Sequence, residues 1–107
     1  MPEYRIRHDG ILDFNDPNTE KEWRRAGFRT RGYIGELTLE YDIDGQQGRV
    51  EAAEIKRLSA DEAHYAFYIP AVRGVGIRYA LVMPDAPSQE PTAEETGWVF
   101  ERIRRLY

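Results

Sequence analysis

Thr92-Ala93-Glu94-Glu95-Thr96-Gly97-Trp98-Val99-Phe100-Glu101-Arg102-Ile103-Arg104-Arg105-Leu106 is the stretch on which the fold turns. Thr92 and Glu95 stand at capping-box spacing, acidic Glu94 and Glu95 open the segment, and Arg102, Arg104 and Arg105 close it. Charges in that order complement a helix dipole at both ends. Val99, Ile103 and Leu106 share one helical stripe with Trp98 and Phe100 beside it, so the pattern predicts a helix over Ala93–Leu106. Thr19 and Glu22 repeat the capping spacing, predicting a short helix over Glu20–Ala26 with Gly27 as its C-terminal cap.

The remaining segments read as strands. Tyr4–His8 alternates bulky and basic side chains, and Asn15-Asp16-Pro17-Asn18 is a turn. Tyr33–Ile43 and Arg49–Leu58 read as a hairpin across Asp44-Gly45-Gln46-Gln47-Gly48, with a helix over Glu51–Leu58 as the rival. Of two registers, the one pairing Leu37 with Ile55, Leu39 with Ala53 and Tyr41 with Glu51 separates apolar from charged positions better than pairing Asp44 with Arg49. His64–Ile69 is a strand ended by Pro70, or the end of a helix from Ala60. Ile77–Met83 is a mostly apolar strand, and three prolines in 84–91 mark a linker. The expectation is an α+β fold. A mainly antiparallel meander sheet of four to five strands carries a short N-terminal helix and a longer C-terminal helix packed on one face.

Length and composition bound the function. At 107 residues the chain makes one domain, 1–107. Its longest run free of Asp, Glu, Lys and Arg, Ala63–Val72, is far short of the roughly 20 apolar residues that a membrane span requires. The opening residues lack the apolar core of a signal peptide, which leads to a cytoplasmic expectation. Zero cysteines exclude disulfides, thiolate metal sites and cysteine nucleophiles. The net charge is −4, with the acidic excess in residues 36–70, so phosphate-backbone binding is disfavoured. Thirteen arginines against two lysines read as composition rather than as a phosphate site.

Three readings of function follow. The first is a non-enzymatic binding or adaptor protein that contacts a protein partner, or a second copy of itself, through an aromatic and arginine-rich surface. Its candidate residues are Trp23, Arg24, Arg25, Phe28, Tyr65, Tyr68, Arg78 and Tyr79, residue types that dominate interface hot spots. Within 23–33, four arginines interleaved with three aromatics also suit single-stranded nucleic acid, against a bland reading with Trp23 and Phe28 in the core. The homodimer is expected through Ile77–Met83, read as an exposed edge strand with Arg78 as its one gatekeeper, whereas Arg5 and Arg7 protect the opposite edge.

The second reading starts from Glu54-Ile55-Lys56, preceded by Glu36, Glu40, Asp42 and Asp44. This acid-then-ExK order resembles the PD-(D/E)xK metal-dependent nucleases. The resemblance implies Glu54 with Glu40, Asp42 or Asp44 as magnesium ligands and Lys56 beside the attacking water. No proline precedes Asp42 or Asp44, unlike the family pattern. The third reading is a carrier of small apolar ligands with Tyr65, Phe67 and Tyr79 lining a cup. The two histidines, His8 and His64, have no ligand-spaced partners, and no Gly-x-Ser-x-Gly elbow occurs. The first reading needs no cofactor and no metal.

Overall fold

The computed structural model describes residues 3–85, 87 and 89–106. Positions 86 and 88 of the expected linker therefore lie outside the described residues. Eight strands form: β1 (Tyr4–Arg7), β2 (Thr19–Arg31), β3 (Thr38–Ile43), β4 (Gln46–Glu51), β5 (Glu54–Arg57), β6 (Glu62–Gly74), β7 (Ile77–Met83) and β8 (Thr92–Arg105). They make two antiparallel four-stranded sheets, in the orders β1-β7-β3-β4 and β5-β6-β2-β8. The described residues contain no helix, so none is long and apolar enough to cross a membrane.

Both expected helices are strands, and the α+β fold is corrected to all-β. In β2 the buried side chains are those of Lys21, Trp23, Ala26, Phe28 and Thr30, with Gly27 buried between two of them. They alternate with period two except for the three-residue step from Trp23 to Ala26. There Arg24 is the extra residue of a bulge against β8. That step is also a helical spacing, which is why Glu20–Ala26 mimics a helix. In β8, Trp98 and Phe100 turn inward while Val99 between them is 52% exposed. Its charge order suits a helix dipole, but it equally suits antiparallel pairing with β2, whose acids also come first and arginines last. Thus Arg104 meets Glu20 at 3.3 Å, and the register sets Arg29 opposite Glu94.

The central hairpin is tighter than either expected register. Ile43 pairs with Gln46, leaving Asp44-Gly45 as a two-residue turn with φ of 51° and 88°. Two successive positive φ values are what a type I′ hairpin turn requires, and Asp-Gly supplies them. Leu39 therefore faces Val50, and Tyr41 faces Gly48, where an added Cβ would collide with the tyrosine ring. The expected strand Arg49–Leu58 is in fact two strands in different sheets. The chain crosses between them at Ala52, bonded to Leu37, and Ala53, bonded to Ala66.

His64–Ile69 is strand, as the first of its two readings holds, and the strand runs on past Pro70. Residues 69–71 bulge opposite Arg24, with Ala71 at φ 53°. Ile77–Met83 is also strand, but β7 lies between β1 and β3. It has no free edge, which removes the basis for a dimer through it. The sheets close face to face over one core, where Tyr79 of the first sheet meets Phe28 at 5.2 Å and Trp98 at 5.3 Å from the second.

Candidate functional site

Alternation along the first sheet puts Arg5 and Arg7 of β1, Arg78 and Ala80 of β7, Glu40 and Asp42 of β3, and Arg49 of β4 on its outer face. Ala80 is the small residue at the middle, and across it Arg5 reaches Glu40 at 3.1 Å. Glu40 also lies 3.5 Å from Arg49, and Glu3 bonds Arg5 at 3.0 Å and Arg49 at 3.4 Å, closing a ring of alternating charges. The Arg5 hydrogen bond holds the Glu40 carboxyl below its ordinary pKa. Asp42 accepts the Gly45 amide at 2.8 Å and the Gln47 side chain at 3.4 Å.

Below this ring runs an open groove of about 740 Å³, lined by Arg7, His8, Asp42, Arg49, Arg78 and Tyr79 among others. Three carboxylates line it: Glu40 and Asp42, both already engaged, with Asp42 directly opposite Arg78 in the register, and Asp9. Arg7 pairs with Ala80 across the strands, so Arg78, two residues before Ala80, is its diagonal neighbour on the same face. Neither arginine has a hydrogen bond or salt bridge among the described residues. Two unpaired guanidinium groups a strand apart can receive a carboxylate or another planar anion.

At one end the groove meets a polar cluster that joins the two sheets. The His8 ring stacks on Tyr79 at 5.0 Å. The Tyr79 hydroxyl donates to Glu95 at 2.7 Å and the Trp98 indole to the other oxygen at 2.6 Å. Burial first, and then the bond to Glu95, push the Tyr79 hydroxyl above its ordinary pKa. His8 Nε2 lies 3.8 Å from Glu95, and its Nδ1 is buried without a partner. With its two carboxylate oxygens accepting from Tyr79 and Trp98, Glu95 ties β7 of the first sheet to β8 of the second.

The other candidates are dispersed. Trp23, Phe28 and Tyr65 are interior, and the Tyr65 hydroxyl bonds Gly35. Arg24 is exposed and ion-paired to Glu22 and Glu101. Arg25 lies over the Tyr68 ring at 5.5 Å, on the outer face of the second sheet. Arg29 and Arg31 both pair with Glu62, so residues 23–33 offer neither free aromatics nor an open row of cations to a single strand.

The acids of the nuclease resemblance do not converge. Glu40 and Asp42 are on β3 of the first sheet, while Glu54 and Lys56 are on β5 of the second. Glu54 faces Arg25 at 3.6 Å, and Asp44 binds the amides of Val75 and Gly76. Among the described residues no three His, Cys, Asp or Glu side chains group to hold a metal. Tyr65 and Phe67 of the expected cup pack on each other at 6.5 Å, and Tyr79 packs on Phe28 at 5.2 Å. Sequence reasoning passed over Arg7, His8 and Glu95. The basic alternation of β1 marks Arg7, but Glu95 takes its place from non-local partners, Tyr79 of β7 and His8 just past β1, besides Trp98 three residues along its own strand.

Compared with protein-family models, curated proteins and solved structures, the chain matches none.

Proposed function

We propose that this chain is a non-catalytic binding protein that holds an acidic side chain of a partner protein in the Arg7–Arg78 groove. One observation carries the reading: Glu40 is ion-paired to Arg5 and Arg49, and Asp42 accepts hydrogen bonds from Gly45 and Gln47, while Arg7 and Arg78 have no hydrogen bond or salt bridge among the described residues. The groove lining sets Arg7, Arg49 and Arg78 against Asp9, Glu40 and Asp42, so capture rests on the two guanidinium groups that lack an ion pair rather than on a net positive charge. Arg78, singled out in the sequence, stands on its floor, whereas the Tyr79 ring, opposite Tyr41, turns inward to the core beside Phe28 and Trp98. A chain without cysteine needs no oxidising compartment to fold, in keeping with a cytoplasmic location.

The test is titration with a Glu-Gly repeat peptide, read by tryptophan fluorescence and calorimetry. Binding should weaken with added salt and be lost in the double variant Arg7→Glu/Arg78→Glu, while Arg24→Glu, outside the groove, retains it. Equal affinity in the double variant and the parent chain would overturn the assignment.

A further inference from the structure

Three of the four sheet edges are short: β1 and β5 have 4 residues each and β4 has 6. β8 has 14, and only β2 pairs with it among the described residues. A long strand with one bare edge is a template for another strand. What can pair with it is set by its charge order, which runs from Glu94 and Glu95 to Arg102, Arg104 and Arg105. A parallel copy would set like charges side by side, whereas an antiparallel copy sets acids against arginines.

We infer that β8 pairs with β8 of a second copy of this chain, antiparallel about a two-fold axis at Val99. Residues opposite each other in an antiparallel pair point to the same face, so a two-fold axis must pass through a residue paired with itself. Centring on Val99 sets Trp98 against Phe100, both inward, and Glu94 against Arg104. Centring on Trp98 instead faces Glu95 with Glu101, and centring on Phe100 faces Val99 with Glu101. Of these three centres only Val99 avoids both mismatches.

The fold already contains this pairing once. β2 meets β8 with Trp23 opposite Phe100, Ala26 opposite Trp98, Glu20 opposite Arg104 and Arg29 opposite Glu94. Opposite Phe100, Arg104 and Glu94 a second β8 presents to the bare edge an aromatic, an acid and an arginine, as β2 does to the paired one, while opposite Trp98 and Val99 it presents Phe100 and Val99 in place of Ala26 and Arg25. Each β8 carries an extra residue at Thr96 and at Ile103 in its pairing with β2, on either side of 97–102. In the Val99 register Thr96 of one copy lies beside Ile103 of the other, so the two insertions offset and the charged ends stay in step. The two second sheets then join into one, and Val99, 52% exposed in the single chain, is covered.

Sedimentation velocity of the full chain across about 1–100 µM should show a reversible monomer–dimer equilibrium. Val99→Lys and Val99→Glu each place like charges at the axis and should weaken the dimer at least about tenfold, while an equimolar mixture of the two should restore it. Val99→Cys, the single cysteine in its chain, should cross-link readily under mild oxidation, whereas Arg24→Cys should not. A chain that stays monomeric over the whole range overturns the inference. So does a dimer that is indifferent to both charge variants, or equal cross-linking at the two cysteine positions.

Discussion

The ammonium of Lys21 lies 2.8 Å from the carbonyl oxygen of Val75 in the β6–β7 turn. The carbonyls of Asp16 and Thr19, at 2.8 and 3.1 Å, accept its other two protons. The residue is fully buried, so one side chain fastens three segments at the end of the sandwich.

Lys21→Met should therefore destabilise the fold by about 2–4 kcal/mol, since three carbonyls lose their donor. A urea melt with an unchanged slope and a lower midpoint is the expected result. Burial holds the Lys21 pKa below 10.5 in the folded state. The unfolded chain thus binds the proton more tightly, and wild-type stability relative to Lys21→Met should rise as the pH approaches 10.5.

Glu62 accepts hydrogen bonds from Arg29 and, at 2.7 Å, from Arg31, and these hold its carboxyl below 4.5. A lowered carboxyl pKa contributes stability above the unfolded value that is lost as pH falls through the folded one. Glu62→Gln should melt below wild type at neutral pH, and the two melting temperatures should draw together as the pH falls below 4.5.

Tyr79 titrates in the opposite sense. Its folded pKa is raised above 10, so the unfolded chain releases that proton first and stability falls as pH rises past 10. Tyr79→Phe should cost about 1–2 kcal/mol at neutral pH through the lost bond to Glu95. Above pH 10 its stability should decline less steeply than that of wild type, as measured by denaturant melts at stepped pH.

Gly45→Ala isolates backbone strain. Gly45 has φ 88°, and an added Cβ there meets nothing within 4 Å. The substitution should lower stability by about 1 kcal/mol through conformation alone, with fold and register retained in the amide chemical shifts.

The sequence by itself determined β3 and β7, because Leu39, Tyr41 and Ile43, and likewise Leu81 and Met83, alternate inward along regular strands. It marked the turn region, but as the five-residue loop Asp44–Gly48 rather than the two-residue Asp44-Gly45 turn, and it held Trp23 and Phe28 between a binding surface and the core. What only the tertiary structure decided was the state of β2 and β8. The bulge at Arg24 turns a period of two into a local step of three, and charges that complement a helix dipole also complement an antiparallel neighbour. The break at Ala52-Ala53, which parts Glu54 from Glu40, was likewise invisible, since strand propensity does not say which sheet a strand joins. The groove depends on the same non-local facts. Arg7 and Arg78 lie 71 positions apart in the chain and become neighbours only because β1 pairs with β7. Local pattern reports which face a residue prefers, and long-range pairing decides what it faces.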